Sequence, residues 1–311
     1  MDPLAGLIDA PRARGAFLLR VPMRRPWALR VRDEAPLTVV AMAEGSSYFT
    51  REPDPPVLLE RGDLLLVQGD AAYDVGDEPA REPTAVILPG NRSETPTGVS
   101  LDLPLTHGLR TWGNDPDGED CLLVGNYSSV GEVGTRMLAS LPLWMVIRAR
   151  DWESPLVEVL LDQLDHDAPG QASLLDRLLD ALVVAAVQHW ATTADDLPPW
   201  LRAGDDLEVA RALTLMHEQV AAPWTLEGLA REVGLSRAAF SRRFTRAVGE
   251  SPIAYLSSWR LAVAADLLVG TDDTVAAVSR TVGYTSPFTF SDAFKRSYGR
   301  SPVEHRRLGR D

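Results

Sequence analysis

Residues 205–311 carry one pattern twice, and this duplication limits what the chain can fold into more than any other feature of its 311 residues. Phe240, Ser241, Phe244, Gly249, Ser251 and Pro252 recur 50 positions later as Phe290, Ser291, Phe294, Gly299, Ser301 and Pro302. A period of that length marks a supersecondary unit used twice. Each copy has the parts of two short helices joined by a tight turn. In the first, Thr225 is placed to cap a helix running to about Val233, Gly234 supplies the left-handed residue that stops it, and Ser236 caps a second helix. Thr274, Gly283 and Ser286 repeat these roles in the second copy, with Pro287 at the first helical position. The pattern predicts two helix-turn-helix units, joined by a long helix over about Pro252 to Val269.

Helix geometry then sorts the side chains. At about 100° per residue, Phe240, Phe244 and Ala247 fall on the core side of the second helix. Ala238, Arg242, Thr245 and Arg246 face the other way, Ser241 lies on the flank, and Ser236 and Arg237 open the helix. Small residues let a backbone approach the major groove, and arginine can bond guanine O6 and N7 together. Arg242 is therefore the expected base reader, and Arg246, near the helix end, an expected phosphate contact. The same rotation in the second copy sets Phe288, Asp292, Lys295 and Arg296 outward, with Ser291 on the flank and Ser286 and Pro287 at the start. Asp292 stands where the first copy has Arg242, so the first unit is expected to dominate base readout and the second to position the protein.

A net charge of −13 would argue against nucleic acid if it were evenly spread. Residues 205–311 hold 14 basic against 13 acidic side chains, so the acidic excess lies in residues 1–204. Arg237, Arg242, Arg243 and Arg246 fall within Ser236–Arg246 without one acid among them. Charges beyond about 10 Å are largely screened at ordinary salt, so local density is what phosphate meets.

The first 150 residues read as strands and turns. Short β-prone runs occur at Leu37–Val40, Val57–Leu59, Leu64–Val67, Ala85–Leu88 and Leu122–Val124, and Glu60–Asp63 reads as a hairpin turn. Many short strands predict a barrel or sandwich. Helical periodicity begins where Ser154 caps and Pro155 starts a segment with Leu156, Val159, Leu160 and Leu164 on one stripe. A second helix, about Ser173 to Trp190, carries Leu175, Leu178, Leu179, Leu182 and Ala186, a stripe that fits either a core within one chain or a seam between two. Asp195–Trp200 interrupts the helical pattern. The expected organisation is a β-rich domain over 1–150, a helical coupling or dimerisation segment over 151–196, a linker over 197–204, and a DNA-binding domain over 205–311.

Other classes find little support. The longest apolar run, Ala181–Val187, falls far short of the ~20 residues of a membrane span. Asp2, Pro3, Asp9 and Pro11 stand where an export signal would need a basic start and an apolar run, so a cytoplasmic protein is expected. Cys121 is the only cysteine and excludes an intrachain disulfide; it reads as a small strand residue, or as a redox switch between subunits. No serine sits in a Gly-x-Ser-x-Gly elbow, no glycine-rich phosphate loop is present, and strands offer no aromatic platform for RNA.

The last hundred residues resemble the AraC/XylS family of transcription regulators. The likeness rests on Thr225-Leu226, Leu229-Ala230, Gly234-Leu235-Ser236, Phe240–Phe244 and Gly249–Pro252, then on Val282-Gly283-Tyr284, Phe290-Ser291, Phe294-Lys295-Arg296 and Gly299–Pro302. The resemblance implies base contacts from Ala238, Ser241 and Arg242, and from Pro287, Phe288, Ser291 and Asp292. The chain departs from the family at Asp292, where arginine is usual, and at His305, where tyrosine commonly precedes Arg306. More loosely, Pro26–Arg30, Ala35–Thr38, Arg61–Leu64, Gly69–Ala71 and Leu138–Pro142 resemble the cupin-like sensor domain attached to one branch of that family. This implies an N-terminal cupin-like β-barrel that binds an effector or mediates dimerisation, ahead of an all-α double helix-turn-helix domain.

A cupin can also be a metal enzyme, which needs several histidines and a carboxylate converging inside the barrel. Of five histidines only His107 lies in the strand-rich part, and Leu64–Tyr73 contains none. No metal, cofactor or catalytic residue is expected. Trp27, Arg30 and His107 are the candidate effector contacts. Promoter DNA, a small-molecule effector, RNA polymerase and a second copy of the chain are the expected partners.

Overall fold

The computed structural model describes residues 17–102, 104–108, 110–139, 141–152, 154–194 and 206–309; the expected linker at 197–204 and the N-terminal positions weighed as an export signal lie outside them. Two compact units emerge, one from Arg12–Val130 with Leu141–Thr192, the other from Gly131–Ser140 with Thr193–Asp311.

The first unit is built of β1 (Phe17–Met23), β2 (Ala28–Val31), β3 (Leu37–Glu44), β4 (Ser46–Thr50), β5 (Val57–Glu60), β6 (Leu64–Gln68), β7 (Tyr73–Gly76), β8 (Ala85–Leu88), β9 (Arg92–Glu94), β10 (Thr106–Gly108), β11 (Thr111–Trp112), β12 (Asp120–Tyr127) and β13 (Trp144–Ile147). They form a seven-stranded sheet in the order β10-β11-β1-β12-β3-β6-β13 and a six-stranded sheet in the order β5-β4-β7-β2-β8-β9. Inward residues of both sheets, among them Val21, Val40, Leu65 and Leu122 from one and Leu29, Phe49, Leu59 and Val75 from the other, make a single core. This is the cupin-like architecture expected, and all five strands read from the sequence are present.

One local expectation is corrected. Glu60–Asp63 is not a hairpin turn, because β5 pairs with β4 and β6 pairs with β3 and β13. The chain changes sheets there. The Asp63 N–H bonds Glu60 O at 2.9 Å, Gly62 takes φ +87°, and Asp63 returns a carboxylate bond to Glu60 N–H. Glycine at the third position of such a turn suits a type II geometry.

The helices α1 (Gly131–Leu138), α2 (Leu156–Leu164) and α3 (Gln171–Thr193) follow the order of the chain, with α2 and α3 in the β-rich unit. Pro155, not Ser154, occupies the cap position of α2. On α3 the stripe Leu175, Leu179, Leu182 and Ala186 is buried inside the unit, which answers the question the sequence leaves open for those four. Leu179 lies over Gly125 of β12, where a Cβ would come within 2.8 Å of its methyl, and Tyr127 Oη donates to Asp180 at 3.0 Å. All four residues of the unbroken apolar run Leu64–Val67 are buried, so β6 is covered on both faces.

The helical unit continues with α4 (Leu207–Glu218), α5 (Leu226–Glu232), α6 (Arg237–Val248), α7 (Pro252–Gly270), α8 (Val275–Thr281), α9 (Pro287–Tyr298) and α10 (Pro302–Leu308). Its caps are those the sequence indicates. Thr225 accepts from Gly228 N–H, Ser236 from Ala239, Thr274 from Ala277 and Ser286 from Thr289. Gly234 and Gly283 stop the first helix of each pair at φ +73° and +84°. Phe240, Phe244, Phe290 and Phe294 are wholly buried. Although α7 is long and apolar enough to cross a membrane by length and composition, Leu256, Leu261, Ala264, Ala265 and Leu268 are core residues of this unit.

Helix α1 also belongs to this unit, packed on α7. The Asp266 carboxylate caps it from 134 residues away, accepting Glu132 N–H at 2.6 Å and, through its other oxygen, Val133 N–H at 3.2 Å. Arg136 bonds Ser258 Oγ at 2.9 Å and lies over the Tyr255 ring. Replacing a capping acid by alanine costs about 1 kcal/mol, and Asp266→Ala is expected to lower the helical unit's unfolding free energy by about that much, as read in urea denaturation followed by circular dichroism.

Candidate nucleic-acid interface

Four residues, Val233 to Ser236, separate α5 from α6, while five, Val282 to Ser286, separate α8 from α9. In both units the second helix turns its phenylalanines into the core and its other face to solvent. On α6, Arg237, Ala238, Arg242, Thr245 and Arg246 are exposed, Ser241 is half-buried, and Ser236 is exposed at the cap. Arg242 and Arg246 have no hydrogen-bond or ion-pair partner among the described residues, whereas Arg237 pairs with the exposed Glu227 at 3.2 Å.

The arginine of this run that is held by more than one acid is Arg243. Its guanidinium grips Asp206 through two bonds of 2.8 Å and Glu208 at 2.7 Å. Asp206 is at once the cap of α4, accepting from Val209. Burial would raise the Asp206 pKa, but the bonds from Arg243 and Val209 outweigh it and hold the carboxyl below its usual range. Arg243 thus fixes α6 against α4 and leaves the outward face to its neighbours.

The second unit presents a different chemistry on the same frame. Pro287, Phe288, Asp292, Lys295 and Arg296 are exposed, Ser286 and Ser291 half-buried, and Phe288 is 85% exposed. An aromatic side chain left that bare has no packing role in the chain. His305, the other departure from the usual pattern, is buried edge-on against Phe294 at 5.2 Å, a packing position.

The three effector candidates in the β-rich unit are not brought together. That unit contains a cavity of about 200 Å³, and none of the three lines it. The wholly buried Trp27 donates its indole N–H to Asp120 at 2.9 Å. Leu29 and Val31 face the cavity, so strand alternation turns Arg30 away, where it bonds Asp74 through two contacts of 2.8 Å. Thr106 and Gly108 line the cavity while His107 between them bonds Gly113 O through Nε2 at 2.9 Å. The lining residues show in the sequence only as the alternation Phe17, Leu19, Val21 on β1 and Leu122, Val124, Asn126 on β12. Cys121, half-buried on β12, has its thiol pushed up to about 11, mainly by burial, which keeps it from acting as a ready thiolate.

Two helix-turn-helix units with an arginine-bearing outward face, in a chain that also carries a cupin-like β domain, define a DNA-binding transcription regulator. Residues 2–192 match the Cupin family and residues 229–308 match the Helix-turn-helix domain family. The chain belongs to the AraC-type transcription regulators with a cupin N-terminal domain. It is similar to an uncharacterized HTH-type transcriptional regulator of Haemophilus influenzae, at 31% identity over 99% of both chains. It is also similar to the HTH-type transcriptional regulator AlkR of Acinetobacter baylyi, at 25% identity over 98% of this chain and 99% of that one. Among solved structures, the DNA-binding domain of the global transcriptional factor AdpA in complex with a target DNA is 30% identical, covering 33% of this chain and 93% of that one with a TM-score of 0.33.

Proposed function

We propose that the chain is a one-component regulator that binds promoter DNA in the cytoplasm as a homodimer, responds to a small molecule held by its cupin domain, and acts on transcription through RNA polymerase rather than by catalysis. In this reading residues 1–150 sense, 151–196 couple or dimerise, 197–204 link, and 205–311 bind DNA. Among the described residues there is no group of three or more His, Cys, Asp or Glu side chains able to hold a metal.

The carrying observation is the contrast between the two outward faces. Arg242 and Arg246 stand exposed and unpartnered among the described residues on α6, while the counterpart positions on α9 hold Asp292 and Arg296 beside the bare ring of Phe288. A guanidinium facing base edges can read guanine; a carboxylate can only accept, as from cytosine N4, and is repelled by phosphate. The first unit therefore reads sequence, through Ala238, Ser241 and Arg242 with Thr245 alongside. The second orients the protein, with Lys295 and Arg296 toward the backbone and Phe288 against a thymine methyl. Arg246, near the end of α6, grips phosphate, while Ser236 and Arg237, like Ser286, Pro287 and Ser291, stand at the starts and flanks of the two helices.

Footprinting and competition binding at the gene's own upstream region test this division. Arg242→Ala is expected to lose about 1–3 kcal/mol of discrimination between the operator and random duplex. Asp292→Ala is expected to leave discrimination nearly unchanged. Equal losses from the two variants would remove the division of labour, and no preference of the unaltered protein for any upstream sequence would remove the proposed function.

A further inference from the structure

The cavity of the β-rich unit lies at one end of the space between the two sheets. Along β1 the inward positions run from Met23, wholly packed, through Val21 and Leu19 to Phe17. Met23 pairs with Asp120 and Phe17 with Asn126, so β12 runs from the filled end to the open end in the same layer. Side chains from both sheets close the filled end, including Trp27, Met42, Phe49 and Leu59. Toward the open end the inward residues remain apolar but are only half-buried: Phe17, Leu19, Val31, Ile87 and Val124. Apolar side chains at inward positions of a folded β domain, still in reach of water, leave hydrophobic free energy unrealised, which is the condition of a site awaiting an apolar guest.

The polar groups at the rim narrow the guest further. Asp102 accepts from Ser93 through N–H and Oγ and from Ser100 Oγ, and Asp33 accepts from Ala35 N–H at 3.2 Å and Thr38 Oγ1 at 3.4 Å. The one arginine in the lining, Arg92, is exposed and turns its Nε to Pro89 O. Two carboxylates against one exposed guanidinium, whose charge also acts on Asp102, leave the lining with a negative balance that disfavours an anion, and a buried unpaired charge in the apolar part of the chamber is costly. Resting on the reading of this domain as the sensor, we infer that the cavity binds a small neutral molecule, mostly hydrocarbon, with at most one hydrogen-bonding group directed at the rim. An apolar cavity of about 150 Å³ takes benzene, so this one suits a guest of about seven to ten non-hydrogen atoms. Organic carboxylates and phosphorylated metabolites are disfavoured by that charge balance, and sugars by the apolar walls that β1, β2 and β12 give the chamber.

Isothermal titration of the full-length, DNA-free protein with 1-hexanol, hexanoate and glucose tests the class. The expected order is hexanol binding, hexanoate weaker by about tenfold or more, and glucose without heat. Trp112, which lines the cavity, supplies a second readout through its fluorescence, lost in Trp112→Phe. Val124→Phe, and independently Leu19→Phe, should fill the chamber and weaken hexanol by about tenfold or more, while the thermal transition of each variant reports that it folds. Hexanoate or glucose binding as tightly as hexanol overturns the inference, as does hexanol binding that both filled variants retain, or no binding of hexanol at all. Because these titrations contain no DNA and the footprints contain no ligand, failure of the ligand class leaves the DNA-binding result standing, and the converse holds.

Discussion

Asp120→Ala is expected to destabilise the β-rich unit by about 3 kcal/mol. Its carboxylate is wholly buried, yet it is the acceptor for four donors: Arg25 Nε at 2.7 Å, Arg25 Nη2 at 2.8 Å, Trp27 Nε1 at 2.9 Å and Ser46 N–H at 3.1 Å. Burial alone would raise its pKa, but these bonds outweigh it and hold the group below the ordinary carboxylate range. Gly45, at φ +73°, gives the carboxylate its room, since a Cβ there would collide with it. Removing the acid leaves the indole of the fully buried Trp27 and the Ser46 amide without an acceptor in a place water does not reach. Arg25, 43% exposed, can turn to solvent. For that reason the loss falls at the lower end of the range for a broken buried pair.

Two further outcomes make that prediction specific. Arg25→Ala removes one partner that solvent can replace, and should cost far less than Asp120→Ala. Asp120→Asn keeps one acceptor oxygen but aims an amide N–H₂ at donors, so it should fall between them. Urea unfolding followed by tryptophan fluorescence gives the order, and an Asp120→Ala loss no larger than that of Arg25→Ala would contradict this account of the site. Because the stabilised form is the carboxylate, its contribution is complete above the unfolded pKa of about 3.9 and declines as pH falls toward the lower folded value.

Trp27 and Asp120 also show what the sequence carries and what it does not. The helical unit is legible residue by residue because its signals are local. A cap and its N–H lie three residues apart, and a left-handed glycine ends the helix immediately before it, so Thr225, Gly234, Ser236 and their later counterparts place four helices without tertiary information. The outward face of α6 follows from the same periodicity. In the β-rich unit the partners are distant: Trp27 meets Asp120 across 93 positions, and Arg30 meets Asp74 across 44. An aromatic or arginine in a strand has the same local pattern whether it serves a core, a surface pair or a ligand.

The cavity was hidden for a related reason. Alternation says which residues face inward, but whether they fill the space between two sheets depends on the summed volume of side chains from strands far apart in sequence. The sheet change at Glu60–Asp63 has a similar cause, since a turn signal does not state whether the strands on either side pair. The α3 stripe fits a monomer core or a dimer seam equally until Gly125 of β12 is seen beneath Leu179.

Acid should weaken the helical unit through His217. This residue, in the last turn of α4, stacks on Trp259 at 4.1 Å between ring centroids and bonds Tyr255 Oη through Nε2 at 2.7 Å. Burial lowers its pKa to about 4, with the Arg136 charge adding in the same sense. The unfolded imidazole titrates near 6.5, so between about 6.5 and 4 the unfolded chain takes up a proton that the native state refuses. Stability is therefore complete above about pH 6.5 and falls with decreasing pH until the folded group titrates, a loss of about 3 kcal/mol. His305, buried against Phe294 and Tyr298 and lowered chiefly by its own burial, adds to the slope in the same direction. Glu132, held above the usual carboxylate range first by burial and then by Asp266, acts in the opposite direction but over the acid end of the window. The expected result is a steep decline in the unfolding free energy of the helical unit from pH 7 to pH 4.5, shallower in His217→Gln by about one proton's worth of slope, about 1.4 kcal/mol per pH unit. An NMR titration of the His217 ring should show it neutral at pH 5.5. A protonated ring at that pH, or a slope that His217→Gln leaves unchanged, would mean the stack on Trp259 accommodates the charge and that acid acts on this unit elsewhere.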